Sequence, residues 1–234
     1  GYFGYEAGQS CVGDHFAWFV ENCVPESYEQ EARVRGISIH QLLSEKLSTY
    51  KAGASGLLAL DWFNGVRTPL MDFNLNGLIM GMNLLTKPEE IYLSLIEATA
   101  YGTRMIIEGF EEAGLKVEDI TLSGGIPIKN EMLVQVYSDV CNRKIKVVDS
   151  TQSSALGAAI LGAAAAPERI TGFKNANEAA KKLGKVKDKV WEPNQDNVEI
   201  YNELYEEYKT LHTYFGTGIN DVMKHLNNIR ERRK

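Results

Sequence analysis

Cysteine is scarce in this chain of 234 residues: Cys11, Cys23 and Cys141 are the whole complement. Three is too few, and too odd a number, for a disulfide framework, and reduced thiols in a cytosolic protein are the expectation. Histidine is nearly as rare. His15, His40, His212 and His225 stand at no metal-ligand spacing, which argues against a structural metal site. Long apolar runs are missing too. The most apolar stretch, Ala155 to Ala166, is rich in alanine and shorter than the ~20 residues that a bilayer requires, so the expectation is a soluble protein with no membrane partner. Gly1 to Gly8 contains no basic region leading into an apolar run, so no secretory leader is read there. Excess positive charge is also lacking. The net charge is −6, whereas a broad nucleic-acid footprint needs a basic face. The local cluster Arg230, Arg232, Arg233 and Lys234 reads as a solvated chain end. Residue 1 is Gly rather than Met, and an aromatic, glycine-rich run begins at once. It reads as a piece of a longer chain.

What is present is ordinary globular composition, 44% hydrophobic and 24% charged. Phe16, Phe19 and Val20 recur at helical spacing before Pro25, with Asp14 near the positive helix start. Gly36 to Lys51 reads as a second amphipathic helix, with Ile39, Leu42, Leu43 and Leu47 on one face. Gly56 to Asp61 and Asn76 to Met82 read as strands, and Asn64-Gly65 as a turn. Pro88 opens a long helix to about Phe110, which Gly114 stops. A strand at Asp119 to Ser123, a helix at Glu131 to Val140, a strand at Ile145 to Asp149 and a helix at Ala155 to Ala166 follow. Strand and helix in alternation indicate an α/β layered domain. After Pro167 the chain turns rich in Lys, Glu, Asn and Tyr, with helices at Asn175 to Leu183 and Val198 to Phe215. This part reads as a helical tail.

The strongest local feature is Leu122-Ser-Gly-Gly-Ile-Pro-Ile-Lys-Asn130. A strand ends, two glycines follow and a helix starts. Glycine lets backbone approach a ligand closely, and a helix start offers free N–H groups. Ligands in α/β sheets gather at the carboxyl ends of strands. Gly125 is expected to hold the glycine-type backbone conformation of this turn. Asn130 carries an amide suited to a purine edge or a ribose; it also suits a simple helix cap. The second feature is Thr151-Gln-Ser-Ser-Ala-Leu-Gly-Ala-Ala159, whose small residues allow close packing on a helix or on a flat ligand.

Together, Ser123-Gly-Gly, Asn130, Gln135, Asp139-Val140 and Ala155-Leu-Gly-Ala-Ala159 resemble the adenosine-binding half of the FGGY family of carbohydrate kinases. Gly77, Ile79, Gly81-Met82, Glu90-Ile91, Ser94 and Ile96-Glu97 are similar to that family's second signature, with Leu95 a mild departure. Gly4 to Ser10, Gly13-Asp14, Asp61 to Arg67, Thr86 to Tyr92 and Gly184 to Asp188 resemble its L-ribulokinase branch. The resemblance covers essentially the whole chain.

It implies a ribonuclease-H-like lobe of the actin–hexokinase fold over residues 1–166, followed by a helical tail over 167–234 that packs on it. It implies ATP and Mg²⁺ as cofactors, a sugar as substrate, and an amino-terminal lobe as partner. The aspartate base belongs to that other lobe, so no catalytic residue is expected here, and Asp14 is read as a helix-start carboxylate. Gly124 and Gly125 are expected near the nucleotide, and Asn130 against adenine or ribose. Glu6 is the candidate sugar contact, its alternative being a surface or interface Glu. Arg67 suits either a phosphate or an anchoring ion pair. No metal ligand and no nucleic-acid partner are expected, and homo-oligomerisation is left open. Two rivals stay open: a kinase for xylulose, glycerol or another polyol, and a non-catalytic nucleotide-binding module.

Overall fold

A computed structural model describes residues 3–234 of the chain. Helix α1 (Gly13–Asn22) buries Phe16 and Phe19 and is followed by α2 (Glu26–Arg35) and α3 (Ile39–Lys46). The predicted helix from Gly36 to Lys51 is therefore α3 alone. Gly36 adopts φ 65°, a left-handed conformation that closes α2 instead of opening a new helix. Helix α2 escaped sequence reading because it buries only Ala32 and so has no apolar stripe.

Strands β1 (Leu58–Leu60) and β2 (Leu78–Met80) pair antiparallel, with Leu58 opposite Met80. Helix α4 (Pro88–Glu112) runs through the centre. Proline at its first position costs no hydrogen bond, because that N–H has no helical partner anyway. Every residue from Tyr92 to Gly102 on α4 is buried, which an amphipathic surface helix would not show. Strand β3 (Ile120–Leu122) leads to α5 (Gly125–Lys129) and α6 (Glu131–Cys141), and α6 packs on α4. Strand β4 (Ile145–Val147) pairs parallel with β3, Ile120 opposite Ile145.

Helices α7 (Ser153–Ala165), α8 (Glu168–Thr171) and α9 (Ala176–Leu183) follow. The chain then returns along the open side of β4: Lys187 N–H donates to Val147 O and Trp191 N–H to Ile145 O, each at 2.9 Å. Helix α10 (Gln195–Gly216) lays Tyr201, Tyr205 and Tyr208 into the core, and its contacts reach α6 and β1. Helix α11 (Val222–Glu231) leads into the charged end, where Arg230, Arg232, Arg233 and Lys234 are exposed as expected. The helix is anchored by buried Met223, and Lys224 pairs with Asp72 at 3.0 Å.

Candidate functional site

The glycine loop is built by the end of β3 and the start of α5. Gly124 has φ 103° and ψ −177°, a region that essentially glycine alone populates. Gly125 is the first residue of α5 and has no positive φ. The glycine-type conformation expected of Gly125 is thus carried by Gly124. At both positions nothing lies within 4 Å of where a Cβ would stand, so the loop faces open space. That is the property a nucleotide would use.

Asn130 ends α5 and starts α6. Its Oδ1 accepts the Leu133 N–H at 3.1 Å, so the capping role read in the sequence is present. The Tyr92 hydroxyl sits 3.1 Å from His40 Nδ1. Burial pushes the Tyr92 phenol up to about 12. Gly13, at the start of α1, is a close neighbour of this loop: a Cβ there would come within 2.9 Å of Ile126 Cδ1.

Helix α7 carries the second sequence feature. None of its residues is buried, and it packs against α9.

Glu6 lies in the irregular opening segment and is 80% exposed. It accepts from Arg67 Nη2 at 3.0 Å, the ion pair that was one of the two readings of Arg67. Asp14 is exposed in the first turn of α1. Gly124, Gly125 and Asn130 are thus brought together around α5, whereas Glu6 is held separately against the loop after β1. Among the described residues, no group of three His, Cys, Asp or Glu side chains is placed to hold a metal ion.

Sequence reading passed over a buried polar cluster behind the opening segment. Asp61, at the end of β1, is 7% exposed and accepts from Gln9 Nε2 at 2.7 Å and from the Tyr208 hydroxyl at 2.9 Å. Burial pushes its carboxyl above the usual range, and the hydrogen bonds from Gln9 and Tyr208 oppose that. The available signal was a single acid closing an apolar strand run. Its partners lie 52 and 147 residues away and could not be named from sequence.

Comparison with known proteins agrees with this architecture. The profile described as "FGGY family of carbohydrate kinases, C-terminal domain" matches residues 1–166. A ribulokinase of Bacillus licheniformis is 53% identical over 98% of this chain and 42% of its own length. One of Anoxybacillus flavithermus is 52% identical over 99% of this chain and 41% of its own. The chain thus spans about two fifths of these relatives. Among solved structures, a xylulose kinase from Rhodospirillum rubrum matches with a TM-score of 0.68 at 22% identity, covering 88% of this chain and 38% of its own. A Plasmodium falciparum glycerol kinase with ADP matches with a TM-score of 0.65 at 20% identity and the same coverages. The fold is that of a lobe of the actin–hexokinase class. The chain belongs to the FGGY family of carbohydrate kinases, and residues 1–166 correspond to the family's C-terminal domain.

Proposed function

We propose that this chain is the carboxy-terminal, adenosine-binding part of an ATP-dependent L-ribulokinase, which converts L-ribulose to L-ribulose 5-phosphate in L-arabinose catabolism in the cytoplasm. The observation that carries the reading is the 53% identity to a ribulokinase, which runs through the tail as well as the lobe. In this reading residues 1–166 bind adenosine and 167–234 pack on them as a helical tail. The burial of Tyr201, Tyr205 and Tyr208 supports that packing.

In such a site Gly124 and Gly125 let the phosphate and ribose end of ATP come against bare backbone. Asn130, with its oxygen committed to Leu133, presents its amide N–H₂ toward adenine or ribose. Glu6 accepts sugar hydroxyls, for which it must share or release Arg67. Mg²⁺ bound to the phosphates of ATP would neutralise their charge. The base for the attacking hydroxyl belongs to an amino-terminal lobe outside these 234 residues.

The test is a substrate panel on the full-length protein: L-ribulose, D-xylulose and glycerol with ATP. The highest kcat/KM is expected on L-ribulose. A clear preference for xylulose or glycerol would overturn the assignment while leaving the family intact.

A further inference from the structure

The opening segment from Phe3 to Gln9 has no regular secondary structure, so no backbone ladder fixes its path. Its backbone is tied at Gly8, whose O accepts from the Thr68 N–H at 3.1 Å and whose N–H donates to Thr68 Oγ1 at 3.3 Å, and side chains fix the residue that follows. Gln9 Nε2 donates to Asp61 Oδ2 at 2.7 Å and to Thr99 O at 2.9 Å. Gln9 Oε1 accepts from the Thr103 hydroxyl at 2.9 Å. Both ends of the carboxamide are therefore engaged, in a space so tight that a Cβ at Gly102 would lie 2.5 Å from Gln9 Nε2. Asp61 in turn accepts from the Tyr208 hydroxyl through Oδ1 at 2.9 Å. A buried carboxylate is tolerable only when its oxygens are paired, so removing either donor disturbs the other.

We propose that Asp61 and Tyr208 are positioning residues for the opening segment: Asp61 fixes Gln9, Tyr208 fixes Asp61, and helix α10 thereby sets where Glu6 to Ser10 stand at the sugar end of the site. The placement at the sugar end rests on the functional reading above, in which Glu6 contacts the sugar. The clamp itself rests on the hydrogen bonds alone.

The experiment is Tyr208→Phe in the full-length protein, which keeps the ring packed on Tyr101 and Tyr205 and removes only the hydroxyl. The KM for L-ribulose is expected to rise roughly tenfold, the scale of one lost hydrogen bond to a buried charged group. The KM for ATP should stay unchanged, and amide hydrogen exchange over residues 6–10 should accelerate. Tyr205→Phe, on the same helix as Tyr208, is the control: it removes a hydroxyl that bonds Glu108 of α4, so it should lower thermal stability comparably and move neither readout. Unchanged exchange over 6–10 in folded Tyr208→Phe, or an equal change in Tyr205→Phe, overturns the clamp. Faster exchange with an unmoved sugar KM keeps the clamp and sinks the sugar role of Glu6, which Glu6→Ala checks independently.

Discussion

At Gly124 the backbone stands at φ 103° and ψ −177°, while its neighbour Gly125 is helical. Two adjacent glycines therefore have different reasons to be glycine. Gly124→Ala should lower stability by roughly 1–3 kcal/mol, the cost of forcing a side chain into that region. Gly125→Ala should leave the fold intact and report on the ligand alone. Denaturant melts and nucleotide titrations on both variants check this; equal destabilisation by the two would refute the assignment of strain. Glu97 supplies a second test at this scale. It is buried on α4 and accepts from the Tyr201 hydroxyl at 3.1 Å. Burial raises its carboxyl from the ordinary 4.5 to about 8, opposed by that hydrogen bond. Between those values the folded chain holds a proton that the unfolded chain has lost. Stability should thus fall as pH rises from about 4.5 to about 8. Glu97→Gln, neutral throughout, should flatten that fall in urea melts taken across the window. An unchanged slope would mean that Glu97 is not the titrating group.

Among the elements, those with a strong period were legible in the sequence. The stripe Ile91, Leu95, Ala98 announces α4, and Met132, Leu133, Val136 and Val140 announce α6; both are observed with bounds within two residues of expectation. Helix α2 was invisible because it is polar and lies on the surface. Helix α5 was invisible because at five residues it is too short for a period to show. The glycine loop could be found because a strand end followed by Gly-Gly is a local signal. The Asp61 cluster could not, because it is made by residues far apart in sequence. The return of the chain along β4 was missed for a related reason: Lys185 to Trp191 carries no alternating pattern, yet its backbone supplies the hydrogen bonds. Lys187→Pro removes the N–H that donates to Val147 O. It should cost about 1–2 kcal/mol and leave the charge-swapped Lys187→Glu near the parent. A melt in which Lys187→Pro matches the parent would show that this pairing contributes nothing.

For the whole molecule, the match to about two fifths of its relatives sets the expectation for activity. On the proposed reading the base and the second wall of the cleft belong to an amino-terminal lobe. The chain by itself is expected to give no turnover with ATP and L-ribulose. A rate in the ordinary kinase range of ~1–100 s⁻¹ would mean that the base lies within it after all.

The backbone return along β4 also bears on how the protein is made. A ribosome releases β4 about 40 residues before the segment that covers its open side, a delay of roughly 2–8 s at ordinary elongation rates. Over that interval the growing chain presents an uncapped strand margin, and Asp61 and Glu97 still await their tyrosines from α10. Unpaired strand margins invite pairing with other chains. A message that stalls translation once β4 has emerged but while Lys187 to Trp191 are still inside the ribosome should therefore yield sticky, chaperone-bound nascent chains, and the released full chain should be neither.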